Sequence, residues 1–191
     1  VEGVQLDNWS DPITFAEAAS LTAIIWSYTD VQNLQGIEYL CNLKELGLGR
    51  SKISDHSPLA GLPDLRHLDI SFNEVSDLSS LAGLPYLRSL FIDGNPVTDI
   101  SSLAGIAKLR TLTMYENPIS DFSPLAEISS LRELYIEKCN LGEPFNLRSL
   151  LRATLLILQM DPRLGRIYRR CRITVSLSPG YKSSGKEKQV H

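Results

Sequence analysis

Four aspartates stand 22 residues apart, at positions 55, 77, 99 and 121. Carboxylates brought together would make a cation site or an acid–base pair. Their equal spacing points elsewhere: a residue that returns once per period is spread along a ladder, one carboxylate per layer. The three histidines, His56, His67 and His191, have no second His or Cys at metal-ligand spacing. No Gly-rich phosphate loop and no Gly-x-Ser-x-Gly elbow occurs, and Gly61, Gly83 and Gly105 recur with the same period as turn residues. The sequence therefore predicts no enzyme: no catalytic residue, no metal, no cofactor and no small-molecule substrate. Three cysteines, Cys41, Cys139 and Cys171, are too few for a four-cysteine zinc site and odd in number for a disulfide framework. They are expected to pack as small hydrophobes.

What remains is binding chemistry, in two groups. Phe91, Tyr115 and Tyr135 recur among Asp69, Asp93, Glu116, Glu133, Glu137 and His67. Aromatic rings rimmed by acid have the make-up of a protein-binding hot spot, and the acid calls for a partner carrying Lys or Arg. Arg163, Arg166, Arg169, Arg170 and Arg172 crowd a ten-residue stretch. That stretch has the chemistry to hold phosphates of nucleic acid or membrane lipid. The plainer reading is preferred, in which it caps the last layer and neutralises the acidic body, because nucleic-acid binders spread basic charge over a broader surface. The charge is divided accordingly: residues 1–140 carry 9 Lys+Arg against 19 Asp+Glu, and residues 141–191 carry 10 against 3.

The elements that must position these groups follow from a repeat. Stepping by 22 residues aligns four segments without a gap, at residues 51–72, 73–94, 95–116 and 117–138. Their cores read SKISDHSPLAGLPDLRHLDI, NEVSDLSSLAGLPYLRSLFI, NPVTDISSLAGIAKLRTLTM and NPISDFSPLAEISSLRELYI. Leu65-x-x-Leu68-x-Ile70 holds a period-two pair, which suits a short strand with alternate residues inward. Asn73, Asn95 and Asn117 follow, and a buried amide returning once per layer predicts a hydrogen-bonded ladder. Ser57-Pro58 and Ser123-Pro124, each followed by Leu-Ala, predict a tight turn or short 3₁₀ segment on the far side. The register extends upstream through Leu21, Ile24 and Trp26 and then Val31 to Leu48. Downstream it runs through Leu141 and Leu147 to Leu156 and Leu158. One such unit cannot bury its own apolar edge; stacked units share one continuous core, with parallel strands along one face.

This pattern resembles the leucine-rich-repeat family, and within it the bacterial internalin-type subclass, over roughly residues 13–161. The segment Val31-Gln-Asn-Leu-Gln-Gly-Ile-Glu-Tyr-Leu-Cys-Asn-Leu is similar to the first repeat of that subclass. The resemblance implies an α/β right-handed solenoid with about seven short parallel strands on the concave side and turns or 3₁₀ segments on the convex side. It implies recognition of a protein partner at a bacterial surface or after secretion. A cytoplasmic scaffold is the alternative, because phosphatase-regulating repeat proteins share the period. Two further alternatives are anion docking through the Arg-rich segment and service as the recognition arm of a larger enzyme. Little chain precedes Pro12 to form the fuller helical cap usual in the subclass, and the sequence after Asp161 is unlike an immunoglobulin-like domain.

The expected organisation is an N-terminal cap and first degenerate repeat over 1–28, repeats over 29–161, and a basic cap with a flexible tail over 162–191. Thr14-x-x-Glu17 is a capping box and predicts a short helix over the alanines that follow, with Phe15 and Trp9 shielding the first layer. Ile173, Val175 and Leu177 alternate with polar residues, which predicts an edge strand. No apolar run is long enough to cross a bilayer, no signal peptide is visible, and the chain lacks an initiator Met, so it is expected to be part of a longer one. Within each strand the residues between inward leucines face outward. The concave columns are therefore expected to hold Ala23, Ile25 and Ser27; Glu45, Gly47 and Gly49; His67, Asp69 and Ser71; Ser89, Phe91 and Asp93; Thr111, Thr113 and Tyr115; and Glu133, Tyr135 and Glu137. Tyr28, Arg50, Phe72, Glu116 and Lys138 form a shoulder beside them.

Overall fold

The computed structural model of the protein describes residues 3–4, 13–29, 31–137 and 172–176. The 22-residue period appears directly as strand register: Glu45, Leu46 and Gly47 pair with His67, Leu68 and Asp69, and the next three strands each sit a full repeat further on. Strands β3 (Ala23–Ile25), β4 (Glu45–Gly47), β5 (His67–Asp69), β6 (Ser89–Phe91), β7 (Thr111–Thr113), β8 (Glu133–Glu137) and β9 (Arg172–Ser176) form one parallel sheet in chain order. Strands β3 to β7 each point their central residue inward, and Ile24, Leu46, Leu68, Leu90 and Leu112 are buried, as is Leu134 at the same register in β8. The opposite wall of the core is made by 3₁₀ helices Ser57–Gly61, Ser79–Gly83, Ser101–Gly105 and Ser123–Glu127, which bury Leu59, Leu81, Leu103 and Leu125. The apolar slots close into a single cluster from Ala18 to Ile136. This is the α/β leucine-rich-repeat solenoid that the resemblance implies.

Two ladders hold the layers together. Asn95 is buried, and its amide nitrogen donates to the carbonyls of Ile70, Ile92 and Asp93 at 2.9, 3.0 and 3.1 Å, while its Oδ1 accepts from Val75 N–H at 3.1 Å. Asn73 repeats the same four bonds one layer earlier, and Asn117 spans the next layer. At the start of the solenoid hydroxyls take this slot: Thr29 and Ser51 lie 3.3 Å apart. The second ladder is the aspartate series. Asp55, Asp77, Asp99 and Asp121 each accept the backbone N–H of the serine two residues on, at 2.8 to 2.9 Å, and so cap the 3₁₀ helices. The serine hydrogen bonds hold the Asp55 and Asp77 carboxyls below the usual range. These carboxylates are spent on turns, one per layer.

The N-terminal capping box forms as predicted. Glu17 N–H donates to Thr14 Oγ1 at 3.2 Å and Thr14 N–H donates to Glu17 Oε2 at 2.8 Å, opening helix α1 (Phe15–Ser20). Strands β1 (Gly3–Val4) and β2 (Ile13–Thr14) pair antiparallel just ahead of it. Ala18 is the buried residue of α1; Phe15 is half exposed and meets Tyr39 edge to face at 6.0 Å, so it does not shield the first layer. Cys41 is exposed as a free thiol on a turn and does not pack into the core. Trp9, Cys139 and Cys171 lie outside the described residues.

At the other end the period breaks. The edge of β8 is taken by β9, with Glu133 beside Arg172 and Glu137 beside Ser176, a step of 39 residues in place of 22. The alternation around Ile173 and Val175 therefore does mark an edge strand. The expected strand around Leu156 and Leu158 lies outside the described residues, and the place beside β8 that the 22-residue step assigns to it is held by β9. Among the described residues no helix is long and apolar enough to cross a membrane.

Candidate functional site on the concave face

The outward residues of the strands fall into columns because the strands pair in exact 22-residue register. One column runs Ile25, Gly47, Asp69, Phe91, Thr113, Tyr135. Phe91 and Tyr135 thus stand two strands apart, roughly 10 Å at ordinary strand spacing, with buried Thr113 between them. Tyr115 lies just past β7, in the neighbouring column, and all three rings are half buried. His67, Glu116 and Glu133 are exposed around them, and Thr111 donates its hydroxyl to Glu133 at 3.1 Å. Glu137 ends β8. The register sets His67, Asp69, Phe91, Glu133 and Tyr135 on neighbouring strands of one sheet. Of the arginine group, Arg172 opens β9, beside Glu133 in the sheet register; Arg163, Arg166, Arg169 and Arg170 lie outside the described residues.

Asp93 is the best-anchored acid of the face. Its Oδ1 accepts Tyr115 N–H at 2.7 Å and its Oδ2 accepts the Thr113 hydroxyl at 2.9 Å. Burial nevertheless pushes its carboxyl above the usual range, and the charges of Asp69 and Glu116 add to that rise against the two hydrogen bonds. Asp69 is fixed by Ser71 N–H, which donates to its Oδ1 at 2.9 Å. Neither aspartate is ion-paired among the described residues. Two adjacent acids held in place without a cation form a preorganised anionic spot.

The shoulder is where the structure adds most to the sequence reading. Tyr28, Arg50, Phe72 and Glu116 have φ of 63°, 59°, 55° and 53°, and Gly94, in the same slot, has 61°. A side chain in this left-handed region costs roughly 1 kcal/mol or more. Each turn is compensated by a backbone bond to the next layer: Tyr28, Arg50, Phe72 and Gly94 donate N–H to the carbonyls of Gly49, Ser71, Asp93 and Tyr115. The turn throws these side chains along the rim of the sheet, where the Arg50 guanidinium lies 5.4 Å from the Tyr28 ring centre and 4.2 Å from that of Phe72. Tyr28 is 78% exposed and Ile25 68%, so the most open apolar surface is at the N-terminal end of the face. Stepping back by the period from Glu116 locates this row, but nothing in the residue types Tyr, Arg, Phe and Glu signals a positive φ.

Gly94 shows why one member of the row lacks a side chain. A Cβ there would stand 2.4 Å from Phe72 Cδ1, because the Phe72 ring lies across it. Gly94→Ala is expected to cost about 1–2 kcal/mol, part from the left-handed backbone and part from displacing the ring. A double-mutant cycle in urea separates the two: with Phe72→Ala already present, the Gly94→Ala cost should fall to the backbone part alone. An unchanged cost would remove the ring from the explanation.

The comparisons with known proteins agree with this geometry. A family model for leucine-rich repeats matches residues 41–83 and 63–105. No curated protein matches the chain. Among solved structures it is similar to an internalin (inlF) from Listeria monocytogenes, at 26% identity and a TM-score of 0.60, over 88% of this chain and 51% of that one. It is also similar to an internalin C2 of the same species, at 26% identity and a TM-score of 0.57, over 87% of this chain and 85% of that one. The chain thus spans about half the length of the first of these structures. Fold and repeat together define a leucine-rich-repeat solenoid. Within that class the chain is internalin-like.

Proposed function

We propose that the protein binds a protein partner on its concave face, with Phe91, Tyr115 and Tyr135 as apolar anchors and Asp69, Asp93, Glu116, Glu133, Glu137 and His67 around them. The single observation that carries this reading is the pairing of half-buried rings with Asp69 and Asp93, which have no ion-pair partner among the described residues, side by side on an open parallel sheet. An unpaired acid on a rigid support favours a cationic partner, and rings of this size supply most of the apolar contact in protein interfaces. The likeness to Listeria internalins supports a place at a bacterial surface or outside the cell.

The test is a pull-down from bacterial and host lysates. It compares the wild-type chain with a Phe91→Ser, Tyr115→Ser, Tyr135→Ser variant whose circular dichroism matches it. A protein held by the wild type should be retained at least ten-fold less by the variant, and its retention should fall as salt is raised, because rim charges are screened. Equal retention by both folded proteins would reject the concave face as the binding surface.

A further inference from the structure

A trough runs across the strands beside the anchors, and the repeat explains its shape. The slot two residues past each strand holds Ser27, Gly49, Ser71 and then Asp93 in successive layers. Three small residues in a row leave the floor low, and Asp93 closes its end. Asp69 and Phe91 form one wall, and Tyr28, Arg50 and Phe72 form the other; together these residues line one depression. Asp69 leans over the floor: a Cβ on Gly49 would stand 3.3 Å from its Oδ2.

The geometry points to this trough as the seat of an arginine side chain carried by an extended segment of the partner protein. The inference rests on the concave face being the recognition surface and specifies which partner group it holds. Charge complementarity sets the sign. Asp69 Oδ2 accepts no hydrogen bond among the described residues, and each oxygen of Asp93 accepts only one, leaving lone pairs free. Arg50 does not discharge these acids, because its guanidinium lies against the rings of Tyr28 and Phe72. Shape and donor pattern select arginine over lysine. A planar guanidinium packs flat against aromatic walls and offers a fork of donors to two carboxylates in adjacent columns, whereas an ammonium is a compact, strongly hydrated charge. Arg50 already occupies the rings of Tyr28 and Phe72, so the incoming guanidinium packs against Phe91 beside Asp69.

The test is an amide-resolved NMR titration of the full chain with the capped peptide Gly-Ser-Arg-Ser-Gly. Matched peptides carry lysine or citrulline in place of the arginine. The arginine peptide should shift Gly49, Asp69, Ser71, Phe72 and Asp93. The lysine peptide should bind at least five-fold more weakly, and the neutral citrulline peptide should leave the trough unshifted. Asp69→Asn keeps an oxygen for Ser71 N–H, so its free spectrum should stay native while arginine-peptide affinity falls at least five-fold. Equal binding of the citrulline peptide, or no shift with the arginine peptide at millimolar concentration, overturns the arginine seat. Shifts confined to residues 111–135 overturn the seat and leave the concave face standing as the recognition surface. Shifts only off the concave face overturn both.

Discussion

Asn95→Ala should destabilise the protein by about 2–4 kcal/mol. The magnitude follows from what is left behind. Removing the amide leaves the Val75 N–H without its acceptor and takes one donor from each of the carbonyls of Ile70, Ile92 and Asp93, which keep the Asn73 amide, the Asn117 amide and the Phe72 N–H. The site is buried, so water cannot readily replace the lost partners. The one buried backbone group left without a partner costs roughly 1–3 kcal/mol, and the bonds lost from the three carbonyls add about 1 kcal/mol more. Asn95→Asp is the sharper control. It keeps the acceptor for Val75 N–H, loses the donors, and aims a charge at three carbonyl oxygens, so it should be no better than alanine. Urea unfolding followed by circular dichroism measures both. Because each solenoid layer leans on its neighbours, the loss should also split or broaden the transition. A midpoint within about 1 kcal/mol of wild type for Asn95→Ala would show that the ladder contributes little and that apolar stacking alone holds the layers.

That ladder was legible before any coordinates, and the reason is physical. A 22-residue step that places Leu, Asn and Asp in fixed slots allows only one kind of stacking, and the strand register, the buried asparagines and the capping aspartates all follow from it. The concave columns were legible for the same reason: Phe91, Thr113 and Tyr135 align because their strands do. Three things were not. The left-handed shoulder is occupied by Tyr28, Arg50, Phe72 and Glu116, none of which advertises a positive φ, so the stack of Arg50 on two rings was invisible. The trough is made by what residues 27, 49 and 71 lack, and the eye drawn to Phe91, Tyr115 and Tyr135 passes over small side chains. The alternation at Ile173 and Val175 marks a strand, but a 22-residue step gives no reason for it to pair with β8, which it does from Arg172 onward.

His56 is a fourth case, legible in the aligned repeats and decisive for behaviour in acid. Its slot is filled by Leu78, Ile100 and Phe122 in the next three layers, each leading a 3₁₀ helix and each buried. His56 is 5% exposed and neither ring nitrogen has a well-formed hydrogen bond. Burial pushes its pKa below the ordinary value, against the nearby Ser54 backbone and the carboxylates of Asp77 and Asp55, which favour the charged ring. The sign of the linkage follows. Above the unfolded-state pKa of about 6.5 the ring is neutral in both states and carries no pH-dependent penalty. Below it the unfolded chain takes up the proton first, so stability falls with pH until the folded ring is protonated as well. His56→Leu restores the apolar type of its neighbours. It should raise stability at pH 7.5 by about 1–2 kcal/mol, through relief of the unpartnered imidazole. Its advantage should widen between pH 6.5 and pH 5, a window above that in which the Asp55 and Asp77 caps are lost, since carboxyls held low keep their charge to more acid pH. Urea midpoints of the two proteins across pH 5 to 8 decide the matter. Curves that run parallel, or a variant less stable than wild type at every pH, would mean that the imidazole is satisfied where it sits and that the acid response belongs to other groups.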